Sequence, residues 1–292
     1  MKSRNFLALA ALTSLSAPAL AQDQGDPGIT ADAPPKTVFD GDYVSIGAGV
    51  AYGPSYSGSD EYAVFPLPIV QGSLGGVGIN PRPAGIALDF IPDPDDGVAF
   101  AFGPVVRMSR DRADLEEIED PIVAAYGELD MAVEVGASAG IKIPKVLHPY
   151  DSLSFNTDAV WDVAGAHGGM QVMPSVTYFT PFSHALAASL SLSTTWMDDD
   201  YADYYYSVPS INTLLPDEDV LPGFQAEGGF KSAGVTMLLA YDLGGDFTNG
   251  GLSLVGIGGY SRLMGDAADT PFTSIRGDAD QWLFAAGIGY TF

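Results

Sequence analysis

The last twelve residues of the chain alternate between large apolar side chains and side chains that are mostly small or uncharged. In residues 281–292 the even positions are apolar, and the odd positions are mainly glycine, alanine or polar residues. Because successive side chains of a strand point to opposite faces, this pattern predicts a strand with one apolar face. Aromatic residues stand at both ends of that face, Trp282 and Phe284 at one end and Tyr290 and Phe292 at the other. This arrangement is typical of a strand that crosses a membrane as part of a β-barrel.

The same alternation recurs through most of the chain. In residues 129–143, eight apolar positions alternate with positions that are mostly small or charged, and residues 153–162 and 186–196 follow a similar pattern. These segments are nine to fifteen residues long. A strand needs about 9–11 residues to cross a bilayer, whereas strands of water-soluble sheets have about five or six. The lengths therefore favour a barrel in a membrane.

The number of strands depends on how residues 76–91 are interpreted. Ten strands are clear from the rest of the chain, and single-chain bacterial barrels have even numbers of strands. If the tetrad from Asn80 to Pro83 forms a turn, it joins two short strands and raises the number to twelve. We therefore predict an all-β fold, an antiparallel up-and-down transmembrane β-barrel of about twelve strands over residues 41–292, with ten strands as the alternative.

The lengths of the connections predict which end of the barrel faces which compartment. The short connections at residues 144–149, 181–184 and 244–250 fall on the side where the last strand ends. The long connections at residues 110–127, 197–229 and 264–280 fall on the opposite side. Bacterial outer-membrane barrels have short periplasmic turns and long outer loops. This asymmetry predicts a periplasmic amino terminus and long loops outside the cell.

The amino terminus has the features of an export signal. Lys2 and Arg4 precede an apolar stretch, and Ala19-Leu20-Ala21 forms a cleavage site, so residues 1–21 are predicted to be a signal peptide that is removed. A membrane helix is the alternative, but the apolar run is shorter than the roughly 20 residues needed to span. Residues 22–40 are rich in glycine and proline and predict a flexible periplasmic leader. The expected location is the outer membrane of a Gram-negative cell.

Composition excludes several classes of protein. Without Lys2 and Arg4, 10 basic residues stand against 37 acidic ones, and 10 − 37 gives a net charge of −27. Such a charge argues against nucleic acid as a partner. The chain after residue 21 has no apolar run of 18 residues, which argues against helical membrane spans. A soluble secreted β-protein remains an alternative, although the apolar faces of the clear strands carry no lysine or arginine.

Three segments resemble one known family. They are residues 52–71 (YGPSYSGSDEYAVFPLPIVQ), residues 196–208 (WMDDDYADYYYSV) and residues 259–268 (GYSRLMGDAA), the last followed by the final strand. All three are similar to the MipA/OmpV family, named after the MltA-interacting protein. The resemblance implies a monomeric barrel that scaffolds murein-synthesising and murein-cleaving enzymes in some members, and roles in envelope stress or adhesion in others. It implies neither a catalytic site nor a cofactor.

Partners and alternatives follow from that expectation. The expected contacts are outer-membrane lipid and lipopolysaccharide, together with a murein hydrolase and a murein synthase. A narrow diffusion channel and a surface adhesion or stress-response protein are the alternative functions.

Charged residues on the predicted inner faces form the first candidate site. Arg107 ends one strand and Asp130 begins the next, so the sequence predicts an ion pair between them near the outer rim. Glu134 lies deeper on the same face and could accept a hydrogen bond from the same guanidinium group. Such a charge cluster either fills the interior of a narrow barrel or sets the selectivity of a small pore.

The long outer loops supply two further candidates. Tyr201, Tyr204, Tyr205 and Tyr206 predict either a lid folded into the barrel mouth or a contact surface for a partner. The acidic residues of the loops predict either a solvated surface or weak binding of Ca²⁺ or Mg²⁺ beside lipopolysaccharide, since these cations prefer oxygen ligands. The acidic loop residues are Asp111, Asp114, Glu116, Glu117, Glu119, Asp120, Asp198, Asp199, Asp200, Asp203, Asp217, Glu218, Asp219, Asp266, Asp269, Asp278 and Asp280.

The sequence gives little support for catalysis. The three histidines, His148, His167 and His184, all fall in connections. A nucleophile needs a base within reach and a group that orients the base. Only His167, with Asp158 and Asp162 nearby in the sequence, approaches such an arrangement, and no partner serine stands out. The sequence therefore predicts a protein without enzymatic activity, cofactor or dedicated metal site.

Overall fold

The fold is a closed antiparallel barrel of twelve strands in up-and-down order. The computed structural model describes residues 37–94 and 96–292. Each strand pairs with its neighbours in the sequence, and the first strand pairs with the last to close the barrel. The prediction of twelve strands is confirmed, and the ten-strand alternative is wrong. The predicted signal peptide and most of the predicted leader lie outside the described residues.

The strands vary in length, and two of them are much shorter than the rest. They are β1 (Tyr43–Pro54), β2 (Tyr62–Leu74), β3 (Val77–Arg82), β4 (Gly85–Asp89), β5 (Ala99–Ser109), β6 (Ala132–Pro144), β7 (Ser152–Asp162), β8 (Met170–Pro181), β9 (Leu186–Met197), β10 (Gly229–Asp242), β11 (Gly251–Leu263) and β12 (Asp280–Thr291). The helices are α1 (Pro121–Ala124), α2 (Asp199–Tyr206), α3 (Asp266–Asp269) and α4 (Pro271–Ser274), with 3₁₀ turns at Val38–Asp40, Leu115–Glu117 and Phe247–Asn249. Across the described residues, none of these helices has the length and apolar character of a membrane span.

The alternation seen in the sequence separates an outer face from an inner one. On β12, Trp282, Phe284 and Ile288 are about half exposed and point outward. From Ala285 onward the inner positions of β12 are small, and glycines of β1 and β12 face each other at Gly47 and Gly289. Similar exposed apolar side chains follow the outer faces of the other long strands and form an apolar band around the barrel. Such a band is stable only when lipid covers it.

Long loops gather at one end of the barrel, here called the upper end. It carries the connections at residues 110–131, 163–169, 198–228 and 264–279. The lower end, where β1 begins and β12 ends, carries shorter connections, among them residues 182–185. The predicted asymmetry between the two ends is therefore present.

The predicted turn between β3 and β4 lies further along the chain than expected. Asn80 and Arg82 belong to β3, and the turn consists of Pro83 and Ala84, with Arg82 and Gly85 paired across it. Ala84 has a φ of 46°, which a two-residue hairpin turn commonly requires. The tetrad from Asn80 to Pro83 is thus mostly strand, because residues 80–82 pair with residues 85–87 of β4.

Close contact between β6 and β7 leaves no room for a side chain at Gly136. A Cβ atom added there would lie 1.8 Å from the carbonyl oxygen of Ala159. We expect Gly136→Ala to lower the free energy of unfolding by about 1–3 kcal/mol, because the strands must move apart. The measurement is urea unfolding of the protein in lipid vesicles, followed by heat-modifiable mobility. Gly256→Ala is the matched control, since a Cβ there meets no atom within 4 Å; equal losses in both variants would contradict this account.

The occluded lumen as candidate functional site

Helix α2 closes the upper mouth of the barrel. The carboxylate of Asp198 caps the helix by accepting a hydrogen bond of 3.0 Å from the backbone N–H of Tyr201. Within the helix, Tyr201, Ala202, Tyr205 and Tyr206 are buried. They pack with Met197, Leu263 and Ala267, which come from β9, β11 and α3. We call α2 with α3 and α4 the plug.

Hydrogen bonds from the tyrosines tie the plug to several loops. The hydroxyl of Tyr206 lies 2.9 Å from the hydroxyl of Ser57, and that of Tyr205 donates to Ser109 at 3.3 Å. The hydroxyl of Tyr204 accepts from the backbone N–H of Asp130 at 2.7 Å. The structure therefore places these tyrosines in the mouth, as in the lid interpretation, with Tyr204 partly exposed at its rim.

Burial keeps the phenol groups of the plug neutral. Removal from water raises the pKa values of Tyr201, Tyr205 and Tyr206 well above the usual value. Tyr56, in the loop between β1 and β2, has its pKa raised to about 12, mainly by burial. These groups therefore act as hydrogen-bonding and packing groups and carry no charge at physiological pH.

A buried cation, Arg112, and a partly buried one, Lys231, contact the plug. The ammonium group of Lys231 donates to the hydroxyl of Tyr201 at 2.8 Å and lies 4.9 Å from the centre of its ring. The guanidinium group of Arg112 donates to the backbone carbonyl of Tyr205 and lies 4.4 Å from the ring centre of Phe272. Burial lowers the pKa of Arg112. Contacts between cations and aromatic faces stabilise such arrangements once water is excluded.

A buried charge cluster lies directly beneath the plug. Glu134 is almost fully buried and accepts a hydrogen bond of 2.6 Å from the side-chain amide of Gln171. The guanidinium group of Arg107 lies 3.9 Å from the other carboxylate oxygen of Glu134, and His167 Nε2 lies 3.4 Å from the first. One carboxylate thus serves three partners from β5, β8 and the loop after β7.

The predicted ion pair between Arg107 and Asp130 is wrong, because the partner of Arg107 is Glu134. The register of β5 and β6 places Arg107 directly opposite Glu134 and Ser109 opposite Ala132. Asp130 precedes the first residue of β6 and is exposed at the rim. Its backbone N–H donates to the hydroxyl of Tyr204. The sequence pattern places Arg107, Asp130 and Glu134 on the same inner face, which is correct for Arg107 and Glu134. The residue opposite Arg107 is Glu134, four residues after Asp130.

His167 lies in the predicted loop, but its side chain is buried and faces the charge cluster. The backbone N–H of Gly169 donates to His167 Nδ1 at 3.0 Å, so in the neutral ring the proton belongs to Nε2, which faces Glu134. The ring packs against Tyr201 at 4.9 Å. Asp162 accepts from the backbone N–H of His167 at 3.0 Å. The imidazole therefore fills the space between the charge cluster and the plug.

Arg82 forms a second barrier lower in the barrel, and the sequence analysis did not single it out. Its Nε donates to Asp158 on β7 at 2.5 Å, and its Nη2 donates to Ser138 on β6 at 3.0 Å. The sequence suggests Asp158 as a partner of His167. In the structure its carboxylate binds Arg82 instead. The sequence does contain a signal for the importance of Arg82, since it is the one lysine or arginine between Lys36 and Arg107.

The barriers divide the interior into two cavities of about 400 Å³ each. Both cavities are lined by Arg82 and Asn156, which therefore stand at the boundary between them. Hydroxyl groups of β8 to β11 face the upper cavity, below the plug. They belong to Ser175, Thr177, Ser191, Ser193, Thr195, Ser232, Thr236 and Ser261. The lumen therefore has space for small molecules on either side of Arg82 and Asn156.

The acidic loop residues do not form a cation cage. In the part of the chain that the structure describes, no three histidine, aspartate or glutamate side chains lie close enough to hold a metal ion. Asp120 caps α1 and accepts from Arg276 at 2.7 and 2.8 Å. Asp280 pairs with Arg262 at 2.7 Å on the outer surface. These two carboxylates have structural partners.

Comparisons with known proteins found one matching family and several similar solved structures. The sequence model of one family, described as MltA-interacting protein MipA, matches residues 46–292. A search of curated proteins found no match. Among solved structures, the NanC porin is similar at 8% identity over 85% of this chain and 98% of its own, with a TM-score of 0.45. An outer membrane channel from Pseudomonas putida F1 is similar at 14% identity over 92% and 100% of the two chains, with a TM-score of 0.42.

Proposed function

Because this chain belongs to the MltA-interacting protein MipA family, we propose that it is a non-enzymatic scaffold that holds a murein hydrolase, together with a murein synthase, at the membrane. The family and the outer-membrane location expected from the sequence are confirmed. The family description names MltA as the partner, and a protein that anchors a murein enzyme needs a rigid membrane domain with a surface on the murein side. In this proposal the barrel is a monomer, and lipid and lipopolysaccharide cover its apolar band.

The occluded lumen is the observation that most favours a scaffold over a pore. The plug fills the upper mouth with buried tyrosines, and the ion pair of Arg82 with Asp158 separates the two cavities below it. A solute that crosses the lumen would have to pass the plug and then this ion pair. A scaffold that binds its partner through an outer surface needs neither the plug nor the ion pair to move.

The lower end presents a candidate docking element for the hydrolase. Leu147 is 81% exposed in the connection between β6 and β7. That connection is held rigid by Asp151, whose carboxylate accepts from the backbone N–H of Val146 at 2.7 Å and from the hydroxyl of Tyr178 at 2.6 Å. An exposed leucine on a preorganised turn suits a protein contact, because little conformational entropy is lost on binding. In the proposed orientation this turn faces the periplasm.

We expect Leu147→Asp to weaken binding of the murein hydrolase MltA about tenfold, because it puts an unpaired charge into an apolar contact. The measurement is the dissociation constant between the detergent-solubilised barrel and the purified hydrolase, by biolayer interferometry. Leu214→Asp is the matched control, since Leu214 is 77% exposed on the upper end. No binding by the unaltered protein would contradict the scaffold function, whereas equal binding by both variants would exclude only this docking element.

A narrow diffusion channel is the second candidate. The two cavities share Arg82 and Asn156 as boundary residues, so displacement of one side chain would join them. We expect the unaltered protein to show no steady conductance in planar lipid bilayers. Steady single-channel currents would favour the channel over the scaffold.

A further inference from the structure

The barrel wall has a gap in its hydrogen bonding between β2 and β3. β1 pairs with β2 along its whole length, from Tyr43 to Pro54. On its other side β2 pairs with β3 only at residues 72–74, opposite residues 77–79. Above that point, within the described part of the chain, residues 62–71 of β2 present an edge that no strand pairs with. We call this gap, between residues 62–71 and residues 80–83, the seam.

The direction of the backbone groups shows which residues face the seam. The carbonyl of Val44 accepts from Phe292 of β12 at 2.9 Å, so the even residues of β1 bond to β12 and the odd residues bond to β2. The register pairs odd residues of β1 with odd residues of β2, so the odd residues of β2 form the hydrogen bonds to β1. The even residues of β2 therefore direct their backbone groups toward β3.

Prolines occupy the seam on both sides. Pro66 and Pro68 are even residues of β2 and supply no N–H to the edge. On β3, the pairing of Gly72 with Ile79 means that Pro81 and then Pro83 would face β2 next. If the register continued, Val70 would meet Pro81 and Pro68 would meet Pro83. Two of the five even residues of β2 in the seam are thus proline, and so are both facing residues, Pro81 and Pro83, whereas Tyr62, Val64 and Val70 keep their N–H groups. Proline is tolerated at such edges of a sheet.

An unpaired edge within a bilayer is normally very unfavourable, because each unsatisfied backbone group in hydrocarbon costs several kcal/mol. Proline lowers that cost, since it has no N–H to leave unpaired. The four prolines of the seam therefore reduce the cost of an unpaired edge in lipid, although the carbonyl groups and the N–H groups of Tyr62, Val64 and Val70 still need partners.

Both edges of the seam border the upper cavity. Phe65 of β2 lines that cavity, and so do Pro83 and Ala84 at the tip of the β3–β4 hairpin. The outward side chains beside the seam, including Val64 and Val70, are exposed apolar residues of the lipid-facing band. The seam is thus the part of the wall where the lipid phase and the upper cavity lie on either side of an unpaired edge.

We propose that the seam is a lateral opening through which small amphipathic molecules dissolved in the membrane reach the upper cavity. The plug lies above the cavity and the ion pair of Arg82 with Asp158 lies below it, whereas the edges of the seam carry apolar side chains. The volume of about 400 Å³ lies in the usual range for small-molecule sites, about 300–1,000 Å³. The hydroxyl groups of β8 to β11 would bind the polar group of such a ligand. This binding site is independent of the scaffold function.

Photolabelling from the lipid phase tests the opening. The full protein is reconstituted in lipid vesicles with an iodophenyl diazirine, an apolar photoreactive reagent that partitions into lipid, and labelled residues are identified by tandem mass spectrometry. We expect label on cavity residues such as Ser191 and Thr236 as well as on lipid-facing residues such as Phe284. Label on the lipid-facing residues alone would overturn the proposal.

Closing the seam should abolish labelling of the cavity. The chain has no cysteine, so Pro68→Cys with Pro83→Cys can be joined by a short thiol-specific cross-linker. We expect the cross-linked protein to lose the cavity label and keep the lipid-facing label. The matched control is Ala48→Cys with Ile288→Cys, a register pair in the closed part of the wall, which should keep both. Heat-modifiable mobility verifies folding of each variant, and cavity label that survives cross-linking across the seam would overturn the proposal.

A second pair of substitutions tests the seam without chemical reagents. Pro68→Val with Pro81→Val restores one N–H to each edge, so we expect slower amide exchange at Val70 and less cavity label. Pro174→Val is the control, because pairing of β8 with β9 resumes on both sides of that residue. Cavity label unchanged by the first pair, together with slowed exchange, would count against passage through the seam.

Discussion

Removing both internal barriers is expected to convert the occluded barrel into an ion-conducting pore. Ala202 is fully buried in the plug, so Ala202→Asp places an unpaired charge there at a cost of several kcal/mol and should displace α2 from the mouth. Arg82→Ala removes the side chain at the boundary between the two cavities. We expect the double variant to show steady single-channel currents in planar bilayers. Asp158, left without its arginine, should make those currents selective for cations.

The single variants are the controls for this experiment. The two barriers act in series, so Ala202→Asp alone and Arg82→Ala alone should each conduct far less than the double variant. Ser210→Asp adds the same charge to an exposed position of the same loop and should leave the protein closed. Conductance by Arg82→Ala alone would show that the plug does not seal the mouth. A silent double variant that retains heat-modifiable mobility would show that other side chains close the lumen.

The largest loss of stability is expected from Glu134→Ala. This substitution leaves Arg107 without a carboxylate partner and removes the acceptor of Gln171 and the contact of His167 beneath the plug. Breaking a buried ion pair in this way costs about 3–5 kcal/mol. The measurement is the free energy of unfolding in urea, with the protein in lipid vesicles. Glu134→Gln keeps the shape and one acceptor, so we expect a smaller loss.

An exposed ion pair on the same barrel provides the comparison. Asp280 bonds with Arg262 at 2.7 Å, but the two side chains are 38% and 59% exposed. Water screens surface pairs of this kind, so they contribute little, and Asp280→Ala should change the free energy of unfolding far less than Glu134→Ala. If Asp280→Ala and Glu134→Ala cost the same, burial of the charge cluster would not be the cause of its effect.

The wall of the barrel could be predicted from the sequence because its cause is local. Side chains alternate between lipid and lumen at every second residue, and this period is visible in residues 129–143 and 281–292 without knowledge of any partner strand. The even number of strands then follows from closure. The position of the turn at Pro83 and Ala84 is less evident in the sequence, because it depends on the register of β3 with β4.

The contents of the lumen were harder to predict, because they depend on register and on how the loops fold inward. The pairing of Arg107 with Glu134 requires the register of β5 and β6, which no single strand reveals. Asp198 followed by Tyr201 and Tyr205 at helical spacing was a usable signal for α2, since aspartate is a good amino-terminal cap. Burial of His167 had no comparable local signal.

The contacts of the plug impose an order on assembly of the protein. The phenol of Tyr206 reaches Ser57, 149 positions earlier in the chain, and its backbone carbonyl accepts from Thr270 on the last long loop. These partners flank the first and the last strands, so they come together only when the cylinder has closed. Docking of the tyrosine helix is therefore coupled to closure of the wall, because its native contacts cannot all form on an open sheet.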